Sequence, residues 1–143
     1  MKIEDVITAL KETIKTDLGF PAFLLPQKAV NNTAHIDLQY QDFRPNGENN
    51  DKLLFTAEYV TDGTHIKWLE KTIGLQKKLH QTENNFMLLE VGGEETKKVL
   101  RAYWKRLNNP RWVYPNTDES SMPAEYVLQY SVEIDIPTNL LED

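Results

Sequence analysis

The sequence contains no cysteine, and this absence removes several classes of protein. Disulfide frameworks, thiolate metal sites and cysteine nucleophiles all need a side chain that the chain lacks. Any metal site would have to use histidine, aspartate and glutamate. Histidine itself is scarce, with three residues in the chain, at positions 35, 65 and 80.

Long apolar runs and an excess of basic residues are also missing. No window approaches the roughly 20 apolar residues of a membrane-spanning helix. Met1 to Asp5 include acids where a secretory signal would have a basic start, so we expect a cytoplasmic protein with no membrane partner. The formal charge of −6 disfavours general affinity for nucleic acid, because phosphate binding depends on lysine and arginine.

The length and the overall composition are ordinary for a globular protein. Its 143 residues, 40% apolar and 27% charged, suit one domain with a hydrophobic core. We therefore expect a single domain over residues 1–143. The segment after about residue 137 is polar and acidic, and we expect it to form a flexible tail.

The clearest structural signal lies between Tyr126 and Ile136. Apolar side chains occupy the even positions there, and polar side chains occupy most odd positions. Because side chains alternate across a strand, this pattern predicts a long strand that is buried on one face. A strand of this kind is typical of an antiparallel or mixed sheet rather than of a buried parallel one.

The rest of the chain divides into short helices and strands. Apolar spacing predicts a first helix over about residues 2–18, ended by Gly19, and a second over about 65–80. In the second helix we expect Ile66, Leu69 and Ile73 to face inward, joined by Trp68, Leu75 and Leu79. Strands are expected over 34–40, 53–60, 86–91, 111–114 and 124–136, with a long loop at 42–51 and another at 115–123.

The segment Glu94 to Leu107 fits a third helix. Val99, Leu100, Tyr103 and Leu107 have helical spacing, acids come first and bases last, as the helix dipole prefers. The whole order predicts an α+β fold, with a mostly antiparallel or mixed β-sheet and helices packed on one face.

No motif for catalysis, cofactor or metal binding stands out. His35 and Asp37 share a strand face, but two ligands do not make a metal site. Glu133 and Asp135 also share a face and favour a solvated or partner-facing surface over acid–base chemistry. Gly92 and Gly93 favour a turn, since the acids that follow would repel phosphate. We therefore expect no enzyme, no cofactor and no metal.

The segment from Lys97 to Trp112 is rich in basic residues, in a chain that is otherwise acidic. Basic residues alternate with aromatic ones there, a mixture that suits a solvated face, a protein contact or, less well, nucleic acid. The acids of the terminal strand could meet this region in a neighbouring subunit. The candidate partner-binding residues are Lys97, Arg101, Tyr103, Trp104, Lys105, Arg106, Arg111, Trp112, Glu133 and Asp135.

The order of elements resembles the tail-terminator and tail-completion proteins of long-tailed phages, the minor tail protein U-like family. The resemblance is one of pattern, without a residue-by-residue signature. It rests on Ala34 to Tyr40, the loop Asp42 to Asp51, Leu53 to Val60 leading into the helix after Thr64, and Tyr126 to Ile136.

The resemblance implies a structural protein that forms a ring, commonly of six subunits, at the head-proximal end of the tail tube. Such a ring stops tube polymerisation and joins tail to head. Its implied partners are further copies of itself, tail-tube proteins and head-connector proteins, and its implied locations are the cytoplasm during assembly and then the virion tail. The alternative is a small monomeric adaptor or immunity-type module that uses the basic aromatic region for one partner.

Overall fold

A computed structural model describes residues 1–27, 34–62, 67–81, 86–92, 96–113 and 125–142. Over these residues the chain has an α+β fold, as predicted from the order of its elements. Its helices are α1 (Ile3–Thr13) and α2 (Lys67–Gln81). Its strands are β1 (Ala22–Leu24), β2 (His35–Pro45), β3 (Asn50–Asp62), β4 (Phe86–Val91), β5 (Lys98–Arg106), β6 (Arg111–Val113) and β7 (Glu125–Pro137).

The strands form one mixed, curled sheet with the order β1-β2-β3-β7-β5-β4, and β6 pairs with β7 beyond the end of β5. The pairing of β1 with β2 is parallel, and the other pairings are antiparallel. β7 lies in the interior of the sheet, where β3 follows it from Glu125 to Pro137 and both β5 and β6 border its other edge. The long terminal strand is confirmed.

The hydrophobic core follows the face of β7 that alternation predicts. Leu128, Val132, Ile134 and Ile136 are almost completely buried, and Tyr130 is nearly so. Across the ladder they meet the buried side chains of β3 and β5, which are Leu53, Phe55, Ala57, Tyr59, Ala102 and Trp104.

The first helix is confirmed, and its ends have local causes. The Asp5 carboxylate accepts a hydrogen bond from the backbone N–H of Lys2 at 3.2 Å, which satisfies a donor at the helix start. After Thr13 the helix continues as a π-helical segment, Ile14–Leu18. Gly19 then takes the left-handed conformation, with φ of 83°, and ends it.

The second helix is also present, but its predicted inward face is wrong in part. Leu69 and Ile73 are 40% and 44% exposed, whereas Thr72, Leu75 and Leu79 are buried. The Thr72 hydroxyl donates to the carbonyl oxygen of Trp68 at 2.7 Å, so its polar group is satisfied inside the protein. Ile66 lies outside the described residues.

Two predicted elements need correction, one in its type and one in its length. The helix predicted from Glu94 to Leu107 is wrong, because β5 occupies residues 98–106. The loop predicted from Asp42 to Asp51 is too long: β2 extends to Pro45 and β3 starts at Asn50, so a short turn joins them. The predicted loop at 115–123 lies outside the described residues.

The segment predicted as a flexible tail contacts the rest of the chain. The N–H of Thr138 donates to the carbonyl oxygen of Asn49 at 2.9 Å, and that of Glu142 to the carbonyl oxygen of Met1 at 2.8 Å. Leu140 and Leu141 are partly buried against the core. These contacts attach Thr138 to the β2–β3 turn and Glu142 to the residues just before α1.

Candidate interaction surface

The second face of β7 carries the polar positions that the sequence singled out. We call this side of the sheet the outer face and define it by Gln129, Ser131, Glu133 and Asp135, all half-buried. The antiparallel register places Arg101 of β5 opposite Asp135, and Tyr103 opposite Glu133. The predicted acidic and basic residues therefore lie side by side within one chain.

Cations border the two acids of β7 from both neighbouring strands. On the β3 side, Lys52 Nζ lies 3.2 Å from Glu133 Oε2, and on the β5 side Arg101 is the register partner of Asp135. Adjacent acids on one strand face repel, and flanking cations reduce that repulsion. The Lys52–Glu133 pair is partly exposed, so we assign it at most about 1 kcal/mol of stability.

An apolar patch adjoins these charges at the β4 edge. Leu88 and Val99 are 52% and 55% exposed, and the register makes them diagonal neighbours on the outer face. The Arg101 guanidinium lies 5.2 Å from the centroid of the Phe86 ring, and the Tyr103 ring lies 5.6 Å from the same ring. We call these five residues the sheet patch. Arginine and aromatic side chains with exposed apolar groups are typical of protein contact surfaces.

A side-chain bridge closes the gap between β5 and β6. The N–H of Leu107 donates to the carbonyl oxygen of Gln129 at 2.9 Å, and the N–H of Gln129 donates to Asn108 Oδ1 at 3.1 Å. Asn108 Nδ2 donates to Gln129 Oε1 at 2.7 Å, and Gln129 Nε2 donates to Glu58 Oε2 at 2.8 Å. The Asn108 carboxamide thus replaces a missing strand neighbour of β7. Sequence reasoning missed this bridge, because an Asn-Asn-Pro stretch indicates only a turn.

The remaining candidate residues do not share one surface. Trp104 is buried and stacks edge-on against Tyr130 at 5.8 Å, so it belongs to the core. Trp112 packs against Trp68 and Tyr126, with ring centroids 4.8 Å and 5.1 Å away.

The outlying basic residues have separate environments. Lys97 Nζ lies 2.9 Å from Glu90 Oε2, and Arg106 Nε donates to the carbonyl oxygen of Asn108 at 3.1 Å. Arg111 and Lys105 are exposed. The strand therefore divides the predicted basic aromatic segment between the outer face and the core.

The fold does not strengthen the candidate metal ligands His35 and Asp37 or the candidate phosphate-binding turn at Gly92. His35 Nε2 lies 3.3 Å from Asp37 Oδ2, and the register places Glu58 opposite Asp37. Even so, no group of three or more histidine, aspartate or glutamate side chains that could hold a metal ion occurs among the described residues. Gly92 has φ of 99°, as the turn predicted there requires, and Gly93 and the two residues after it lie outside the described part.

Burial changes the ionisation of three tyrosines. It raises the pKa of Tyr59 above its ordinary value, while hydrogen bonds with Thr72 and Thr61 act in the opposite direction. Burial also raises the pKa of Tyr126 and Tyr130, and the nearby Arg106 charge opposes that rise. All three hydroxyls are favoured in their neutral form.

This shift predicts an alkaline loss of stability. The unfolded chain loses the Tyr59 proton near pH 10 and the folded chain retains it, so this contribution is complete below about pH 10 and is lost as the pH rises. Tyr59 should lower the free energy of unfolding by at most about 1.4 kcal/mol per pH unit in that window. Urea unfolding at about pH 8 and about pH 11 should show a smaller loss for Tyr59→Phe than for the wild type.

Thr72→Val is the matched control for this measurement. It removes the hydrogen bond to the Tyr59 hydroxyl but keeps the phenol, so the alkaline loss should persist. An equal alkaline loss in the wild type and in Tyr59→Phe would show that Tyr59 does not contribute to it.

Comparison with known proteins assigns no family. The chain matches no protein-family model and no curated protein. None of the helices in the described ranges is long and apolar enough to cross a membrane.

Proposed function

We propose that this chain is a structural phage tail protein of the tail-terminator type. In this proposal, copies form a ring that ends tail-tube polymerisation and joins the tail to the head. The observation that supports a subunit role is the presence of exposed apolar pairs on separate elements of the fold. A subunit with neighbours on several sides needs several such surfaces, whereas a single-partner module needs one.

Three surfaces carry these pairs. The sheet patch includes Leu88 and Val99. Tyr40 and Phe43, which are 56% and 42% exposed, lie on the distal part of β2, and we call them the hairpin patch. Leu69 and Ile73 are four residues apart on α2 and form the helix patch.

We also infer a layered arrangement in which both helices pack on the core face of the sheet. Three contacts support it. α1 contacts β4, Thr72 of α2 bonds with Tyr59 of β3, and the Trp68 ring lies 4.6 Å from the ring of Tyr126 of β7. This arrangement leaves the outer face for a protein of another kind, and we assign it to the tail-tube or head-connector partner. Its mixture of Arg101, Tyr103 and the acids of β7 suits such a contact.

The mass of the purified protein in solution tests the ring. Light scattering across a range of concentrations and salt, followed by negative-stain imaging, should show a closed ring near six subunits. Leu69→Glu and Tyr40→Glu should each reduce the ring population, because a charge would enter an apolar contact.

Thr56→Glu is the control, because it adds the same charge at a half-buried position of β3 outside the three patches. A single monomeric mass at every concentration would contradict the ring. It would support instead the small adaptor that binds one partner.

A further inference from the structure

Gly74 lies in the middle of α2, where glycine is unfavourable. Glycine in a helix interior costs roughly 1 kcal/mol relative to alanine. A Cβ atom built at Gly74 would meet nothing within 4 Å outside its own helix, so packing within the chain does not require a glycine at this position. Glycine at an open helix surface instead permits another backbone to approach closely.

The space beside Gly74 is a groove of about 530 Å³. Leu18, Phe20 and Leu75 form its apolar floor, and all three are buried. Lys71 and Lys78 stand at its rim, and Lys78 Nζ would lie 3.9 Å from a Cβ on Gly19. Within the described residues neither lysine forms an ion pair. The groove therefore suits an acidic element that brings small or apolar groups.

Helix α1 of the same sequence has the complementary surface. Glu4, Thr8 and Glu12 are exposed, and their spacing places them on one face of the helix. They line a cleft of about 720 Å³, whose opposite wall includes Glu90 and Lys98. Neither Glu4 nor Glu12 takes part in an ion pair in the described ranges.

The two surfaces match in spacing as well as in charge. Lys71 and Lys78 are two helical turns apart, about 10.5 Å along the axis, and Glu4 and Glu12 are about 12 Å apart. A small residue lies between the charges on each helix, Gly74 in one and Thr8 in the other.

One chain cannot pair these two surfaces with each other. α2 contacts the π-helical end of the first helix, and Glu4 lies at the other end, roughly 20 Å away. Glu12 is closer to that end, but the acidic cleft and the groove share no lining residue. The contact must therefore join two copies head to tail, and such contacts close into rings or extend into filaments.

We propose that the α2 groove binds α1 of a second copy, with Lys71 and Lys78 against Glu4 and Glu12 and with Gly74 against Thr8. The α2 helix of one copy then lies in the acidic cleft of the next. This contact deepens the proposed function, on which it rests, because it supplies the subunit interface of the ring.

Charge exchange tests the contact in the full chain. Lys71→Glu/Lys78→Glu should weaken self-association at least tenfold, measured as a dissociation constant by sedimentation at low salt, and Glu4→Lys/Glu12→Lys should do the same. An equimolar mixture of the two variants should recover pairing, because the reversed groove then meets the reversed helix. Lys77→Glu reverses one lysine of the same helix outside the groove lining and should associate like the wild type.

Gly74→Leu tests the close approach separately. The leucine would occupy the groove and should abolish association, while the thermal midpoint stays the same or rises because leucine is a better helix former. Gly74→Ala should give a similar thermal effect with a smaller loss of association.

The outcomes separate this contact from the ring. Rings that persist in all the groove and helix variants would overturn the contact and leave the ring standing. Dimers or open chains that the variants abolish would support the contact and contradict the ring. A wild type that stays monomeric at every concentration would overturn both.

Discussion

Replacing Ile134 with alanine is expected to lower the free energy of unfolding by about 2–5 kcal/mol. Ile134 is completely buried on β7, between Leu53 of β3 and Ala102 of β5. Its truncation leaves a cavity at the junction of three strands, and the small Ala102 cannot fill it. Urea unfolding followed by tryptophan fluorescence should show a lower midpoint with an unchanged slope.

Ser131→Ala on the same strand is the control for this loss. Ser131 faces the outer surface opposite Thr56 and Lys105, so its replacement should change the free energy by less than about 0.5 kcal/mol. Equal losses for the two variants would mean that the two faces of β7 do not differ in burial.

Asn108→Ala is expected to cost about 1–3 kcal/mol of stability. The alanine removes the acceptor of the Gln129 N–H and the donor to the Gln129 side chain. Gln129 is half-buried and also bonds with Glu58, so its freed polar groups would lose partners in the interior of the sheet. Amide hydrogen exchange at Gln129 should become faster than in the wild type.

Asn109→Ala gives the matched comparison one residue later. Asn109 is exposed, and its replacement should be close to neutral in stability. If Asn108→Ala were also neutral, the Asn108 carboxamide would not be supporting β7.

The elements that could be predicted are those whose burial is strictly periodic. The first helix has apolar residues at helical spacing and ends at Gly19, and both features appear in the structure. β7 alternates from Leu128 to Ile136, and those positions divide between the core and the outer face, whereas Val127 is buried beside Leu128. The α+β class follows from these elements and from the strands between them.

The wrong predictions concern segments in which apolar residues are exposed or in which a strand is polar and exposed. Val99 and Leu107 are exposed, yet they completed the helical spacing of apolar residues in the segment 94–107. In the structure this segment contains β5, and one of the core positions of β5 is the small Ala102. The distal part of β2 is exposed from Gln39 to Pro45 and rich in polar residues, so it resembled a loop. Leu69 and Ile73 misled the assignment of the inward face of α2 for the same reason.

The candidate surface could be predicted in its residue types and not in its arrangement. Arg101 and Tyr103 reach the outer face because they are two apart on a strand, whereas a helix would have placed Arg101 beside Trp104 and Tyr103 on a different face. The bridge from Asn108 through Gln129 to Glu58 depends on register between distant segments, and local patterns carry no information about register.

The interior position of β7 also determines how the chain can reach its fold. The β2–β3 and β4–β5 pairs are local hairpins that can form early, but each then exposes an unpaired edge that only residues 125–137 can cover. Because loop closure must precede such distant pairing, we expect folding in milliseconds to seconds, with an intermediate in which the two half-sheets are open to aggregation. Production of this protein should therefore be sensitive to temperature and to chaperone supply, and truncation before β7 should give insoluble material.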